Sequence, residues 1–215
     1  IGPQIERHRA RMAYGDWLVT RDRPAHTAYR SLLMGLITPA RLRRNEEFMW
    51  RLADRQIGEF IDQGHFEVIA DFARPFTILV LADLLGVPEE DHKAFCDNFG
   101  PVPGQVGSDR EIVRNPLDFL TGIFTGYIED RRHRPRQDGL SELARATFPD
   151  GRTPTVADVV NIATFLFGAG QDTSARLITA ALRLLGERPD LQQQLRQQRH
   201  RIPDFLEEVL RMEPP

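Results

Sequence analysis

The stretch from Thr155 to Leu185 constrains this chain more than any other. It contains no proline, and its first half is apolar at nearly every turn: Val159, Val160, Ile162, Ala163, Phe165, Leu166 and Phe167. At 1.5 Å per residue it predicts a helical rod roughly 45 Å long, about the width of a whole domain. A helix that is apolar all round is a buried one, and no other long apolar run accompanies it, so it reads as a core helix and not a membrane span. Thr155, with Asp158 three residues on, marks its start as a capped helix. At its centre lies Gly168-Ala169-Gly170-Gln171-Asp172-Thr173. Each mid-helix glycine costs about 0.5–1 kcal/mol relative to alanine. Two glycines around one alanine leave bare backbone, against which either a second helix or a large flat group can lie. Asp172 and Thr173 follow directly and are expected to be buried, where each would cost on the order of 1–3 kcal/mol unless partnered. A locally widened turn, with the threonine hydroxyl taking over a backbone carbonyl, would satisfy them and open a groove.

The rest of the chain supplies helices to surround this rod. Ala25 to Ile37 has Tyr29, Leu32, Leu33 and Leu36 on one face, and His26 and Arg30, four apart, project together from the same helix. Thr38-Pro39 is a hydroxyl cap followed by proline at the first helical position, predicting a helix to Asp62 that stops at Gly64. Further helices are predicted over Glu67–Leu85 with a stop at Gly86, from Pro88 to about Phe99, and over Leu117–Arg132, Ser141–Phe148, Pro189–Gln198 and Asp204–Met212. Glu6–Met12 has the pattern of a helical turn or two, and Trp17–Thr20 is an apolar run of ambiguous type. Gly100 to Pro116 has no periodicity and reads as a long loop of the functional or mobile kind. The basic run Arg131-Arg132-His133-Arg134-Pro135-Arg136 reads as cations at a helix carboxyl end. The fold class is mainly α. Hydrophobic residues make up 41% and charged residues 27%, an ordinary globular balance, and a net charge of −3 gives no electrostatic case for nucleic acid or acidic lipid. Cys96 is the single cysteine, which excludes an internal disulfide and a cysteine-rich zinc site.

Three features then occur in a meaningful order. Ala169-Gly170-Gln171-Asp172-Thr173 resembles the oxygen-activation motif of the cytochrome P-450 monooxygenases, on a long central helix as in that family. Glu208-Val209-Leu210-Arg211, followed by Met212-Glu213-Pro214-Pro215, resembles the family's Glu-x-x-Arg helix and its proline-rich exit. His26-Thr27-Ala28-Tyr29-Arg30 resembles the His-Thr-x-x-Arg helix whose basic side chains meet heme propionates. Glu-x-x-Arg occurs five times, starting at Glu6, Glu111, Glu129, Glu142 and Glu208, and position alone singles out Glu208.

The resemblance covers nearly the whole chain and points to the bacterial, soluble type. It implies a partial cytochrome P-450 fold, running from the propionate helix through the Glu-x-x-Arg helix, with residues 1–215 a single incomplete domain. It implies heme as cofactor, a small organic substrate, a ferredoxin- or flavodoxin-type electron donor and a cytoplasmic setting, with no membrane or nucleic-acid partner. Heme would lie against Ala169 and Gly170, with His26 and Arg30 on its propionates. Asp172 and Thr173 would be catalytic, delivering protons where oxygen is split. Glu208 and Arg211 would be structural. Phe165 and Phe167 are candidates for the substrate wall or for the core. The family's thiolate cysteine sits downstream of Glu-x-x-Arg, and Cys96, in a helical context without the required loop, does not replace it. No metal ligand is therefore expected in this chain, which by itself should hold heme poorly and be inactive. The alternative is a non-catalytic helical module for ligand binding or interaction. A di-iron bundle would need two Glu-x-x-His pairs, and only Glu89–His92 exists.

Overall fold

The computed structural model describes residues 17–99 and 118–214. Glu6–Met12, the loop from Gly100 to Pro116 and Leu117 lie outside those residues. The described residues form helices and turns, with no strand among them. In chain order the α-helices are α1 (Ala25–Leu36), α2 (Pro39–Phe60), α3 (Arg74–Leu85), α4 (His92–Asn98), α5 (Asp118–His133), α6 (Gly139–Ala144), α7 (Val156–Glu187), α8 (Pro189–Gln197) and α9 (Ile202–Met212). Trp17–Thr20, the ambiguous run, resolves into a 3-10 turn over Leu18–Thr20.

Local chemistry accounts for most of these boundaries. Thr38 accepts a hydrogen bond from the Arg41 amide ahead of Pro39, and α2 gives way to a 3-10 turn that ends on Gly64 at φ 72°. The predicted helix over Glu67–Leu85 divides in two. A π-helical turn, Val68–Ala73, is capped by the Glu67 carboxylate on the Ile69 and Ala70 amides, and it passes into α3. The predicted helix over Ser141–Phe148 is shifted towards the amino end. Asp138 caps α6 by accepting from Ser141 N at 2.7 Å, while Phe148 belongs to a turn closed by Gly151. Thr155 and Asp158 form the reciprocal capping box at the start of α7.

Helix α7 is 32 residues long and packs against α1, α3, α5, α6, α8, α9 and the π turn. Its amino-terminal half is the core. Val159, Val160, Ile162, Ala163 and Phe167 are buried, and the Phe167 ring meets Phe95 tilted at 5.2 Å and Phe124 edge-to-face at 6.2 Å. Phe167 is thus core, and Phe165 sits edge-on to Trp17 at 5.9 Å.

One polar hub lies inside this apolar frame. Arg131 is 1% exposed and donates to Asp138 Oδ2 at 2.9 Å, to Asp130 Oδ2 at 2.8 Å and to the Gly86 carbonyl at 3.2 Å. Arg132 donates to the carbonyl of Pro154 at 2.7 Å. The basic run is therefore not only a set of cations at a helix end. Its first member crosses to the carboxyl end of α3 and the cap of α6, and its second reaches the entrance of α7. Gly86 stands beside this hub at φ 87°, where an added Cβ would lie 2.2 Å from Asp138 Cβ. Gly64 has the same left-handed backbone but nothing within 4 Å of an added Cβ. Gly64→Ala is expected to cost about 1–2 kcal/mol from the backbone alone. Gly86→Ala should cost clearly more, on the order of 3 kcal/mol, because it also displaces the hub's carboxylate. Urea unfolding midpoints compare the two, and equal losses would show that Asp138 yields freely.

Candidate functional site

Helix α1 forms as its sequence pattern requires. In α1, Leu32, Leu33 and Leu36 are buried, while His26 is half-buried and Arg30 exposed on the same side. Neither the His26 nor the Arg30 side chain has a hydrogen-bond or ion-pair partner among the described residues. Two unpaired cationic or donor side chains one turn apart make a site for a bidentate anion such as a carboxylate.

The centre of α7 departs from expectation. The helix runs unbroken through Gly168–Thr173, so no widened turn forms there. Thr173 is exposed and donates its hydroxyl to the Ala169 carbonyl at 2.8 Å. Asp172 is half-buried and accepts from Arg176 Nε at 2.9 Å. The expected buried acid–hydroxyl pair is corrected: Ala169, Asp172, Thr173 and Arg176, at helical spacings of three and four, form an open stripe. The threonine takes over the backbone carbonyl as anticipated, but without opening the helix. Gly170 serves helix packing. At Gly170 an added Cβ would stand 3.2 Å from both methyl carbons of Leu81 on α3, so the bare Cα lets that helix approach. Ala169, on the open side, is the small residue that faces free space.

Geometry separates the Glu-x-x-Arg repeats that spacing could not. Glu208 and Arg211 on α9 form a two-pronged pair at 2.8 and 2.6 Å, and Arg211 holds the Glu208 carboxyl below its ordinary range. Among the other described instances, Glu142 pairs with Arg41 of α2 while Arg145 donates to the Ser141 carbonyl, and Arg132 turns to Pro154. Sequence reasoning missed a neighbouring link: Arg183 of α7 pairs with Glu213, just past α9, and so ties the central helix to the Glu-x-x-Arg helix.

Cys96 lies half-buried on α4, where burial pushes its thiol up, away from the thiolate form a metal would need. No group of three His, Cys, Asp or Glu side chains suited to a metal ion occurs among the described residues. Glu89 is exposed and His92 Nε2 lies 3.2 Å from the Val87 carbonyl, so the lone Glu-x-x-His pair is not a ligand set. A hollow of about 700 Å³ opens between the π turn, the second half of α7, α8 and α9, lined by Phe66, Phe72, Ile178, Leu182 and Phe205 among others. No helix among the described residues is long and apolar enough to cross a membrane.

No family model matches the sequence. Individual relatives do. Cytochrome P450 144 of Mycobacterium tuberculosis is 32% identical over 206 residues, covering 92% of this chain and 46% of its own length. Cytochrome P450 109 of Bacillus spizizenii is 29% identical over 202 residues, covering 90% of this chain and 50% of its own. Among solved structures, the substrate-free cytochrome P450 CYP150A6 of Mycobacterium marinum superposes with a TM-score of 0.87 at 52% identity, over 99% of this chain and 49% of that one. The chain belongs to the cytochrome P450 family. Its helices are a partial P450 fold, and it spans about half the length of the curated relatives it matches. The cofactor of that family is heme.

Proposed function

We propose that this chain supplies the oxygen-side and propionate-side helices of a heme-thiolate monooxygenase that inserts one oxygen atom of O2 into a small organic substrate. The observation that carries this reading is the open stripe of Ala169, Asp172 and Thr173 at the middle of a helix that superposes on a P450 throughout its length. When bound, heme supplies the iron chemistry that cleaves dioxygen, with a thiolate from outside these residues as its strong donor. The residues present suit such a group. Ala169 offers a small, accessible surface for a flat ring, while His26 and Arg30 offer two unpaired polar heads for its carboxylates. Gly170 contributes to the same place indirectly, by seating α7 on Leu81.

The stripe's own chemistry is proton handling. Asp172 can accept a proton from water and pass it along, and Thr173 has a hydroxyl that can release its bond to the Ala169 carbonyl and hold a water instead. Positioned proton delivery of this kind is typically worth ~10²–10⁴-fold. Glu208 and Arg211 act as scaffold, bracing α9 through an ion pair. A ferredoxin- or flavodoxin-type donor would supply the electrons, and the whole chain would act as one domain.

Visible spectroscopy on the chain as its gene encodes it tests the reading. A ferrous carbon monoxide complex with the red-shifted thiolate band supports the monooxygenase, whereas no heme band at all supports a non-catalytic helical module. Arg30→Ala is expected to weaken heme retention. Full heme content after gel filtration of that variant would reject the propionate role.

A further inference from the structure

The polar clasp between α1 and the start of α7 is used by none of the roles above. Tyr29, next to Arg30, donates its hydroxyl to Asp158 Oδ1, 129 residues away in sequence. The Tyr29 ring packs on Phe148 at 5.2 Å, and the Arg21 guanidinium lies 3.9 Å over the ring centroid. The second oxygen of Asp158 serves the capping box, accepting from Thr155 N at 2.9 Å and from Thr155 Oγ1 at 2.7 Å. One carboxylate therefore does two jobs, capping α7 with one oxygen and gripping α1 with the other. Burial raises the Asp158 pKa, but the bonds from Tyr29 and Thr155 and the charge of Arg21 bring it below its ordinary value. The clasp is thus charge-assisted at neutral pH.

Directionality gives the clasp a role that packing cannot fill. Apart from the Tyr29 hydroxyl, α1 meets the core through the Tyr29 ring, Ala28, Leu32, Leu33 and Leu36, and apolar burial is non-directional, so it fixes the register of two helices less sharply. A hydrogen bond weakens steeply with misalignment. Both helices are stiff rods, and a shift at Tyr29 carries His26 and Arg30 with it. On α7, Ala169 lies roughly 16 Å along the axis from Asp158 at the usual helical rise. We propose that Tyr29 is a positioning residue: by holding Asp158 it sets the register of α1 against α7, so that the His26–Arg30 face and the Ala169–Thr173 stripe grip the edge and the face of one porphyrin. This rests on the heme reading given above.

The test uses the heme-loaded chain as its gene encodes it. The rate of heme transfer to apomyoglobin and the position of the Soret band are measured for wild type and three variants. Tyr29→Phe keeps the ring against Phe148 and under Arg21, so the fold is retained, and its unfolding midpoint verifies this. It is expected to lose heme roughly three- to tenfold faster, the range for one lost hydrogen bond, with a shifted or broadened Soret band. Thr155→Val removes the cap from the same carboxylate without touching α1. It should lower the unfolding midpoint yet leave heme transfer and the Soret band as in wild type. Faster heme loss in Thr155→Val, matching that of Tyr29→Phe at equal loss of stability, would overturn the positioning role. Arg30→Ala separates the two levels. If it loosens heme while Tyr29→Phe does not, the clasp proposal fails and the heme reading stands. If wild type takes up no heme, the heme reading fails first and takes the proposal with it.

Discussion

Arg131→Ala is expected to destabilise this protein by about 3–5 kcal/mol, the usual loss when one partner of a buried ion pair is removed. The guanidinium is 1% exposed and the Asp138 side chain 13%, so neither charge is relieved by water. Removing the arginine strands the Asp138 carboxylate, which also caps α6, and frees the Gly86 carbonyl at the end of α3. Two helix ends therefore loosen at once. Arg131→Lys should recover only part of the loss, because an ammonium cannot fork to Asp138, Asp130 and Gly86 together. Urea unfolding measures both variants. A loss below about 1 kcal/mol for alanine would place the hub in the class of surface pairs.

In the heme-loaded protein as its gene encodes it, Asp172→Asn is expected to slow turnover about a hundredfold, the lower end of what a positioned proton donor contributes. The amide keeps a hydrogen-bond acceptor for Arg176 and the helix keeps its shape, so substrate affinity should stay where it was. Arg176→Ala is the companion: it removes the partner at 2.9 Å but leaves the carboxylate, and turnover should change little. Thr173→Ala acts on the same step from the hydroxyl side, with peroxide release rising as product falls. Equal weakening of turnover and of substrate binding in Asp172→Asn would reduce that residue to a helix-surface ion pair. Unchanged coupling in Thr173→Ala would leave its hydroxyl with only the Ala169 carbonyl to serve.

Local signals in this sequence are strong where one residue decides one boundary. Thr38-Pro39, Gly64, Gly86 and the Thr155–Asp158 box each name a helix end by their own chemistry, and each end lies there or within a few residues. The apolar half of α7 was legible for a similar reason: a side chain apolar in every direction has only a core to occupy. Motif order carried the family because three short patterns, each common alone, had to fall in sequence on helices of fitting length. What stayed hidden depends on partners far apart in sequence. Nothing near Arg131 shows that it turns inward, since Asp138 and Gly86 become neighbours only when α3, α5 and α6 meet. The π turn over Val68–Ala73 was missed because one widened turn shifts the helical phase too briefly, over six residues, to stand out in the apolar pattern. The burial of Asp172 and Thr173 was inferred from their position in a long helix, but the second half of that helix presents an open stripe that the periodicity of the first half does not foretell. Glycines were read as a ligand surface or a packing surface, and Gly170 takes the second role through Leu81.

The hollow framed by Phe66, Phe72, Ile178, Leu182 and Phe205 has a practical consequence for anyone handling these 215 residues by themselves. Trp50, Ile61 and Ile69 are exposed as well, so the molecule carries solvent-facing apolar surface beyond the hollow. Such a particle is expected to act as a mild surfactant, collecting at air–water boundaries and taking up solvatochromic dyes and detergent monomers.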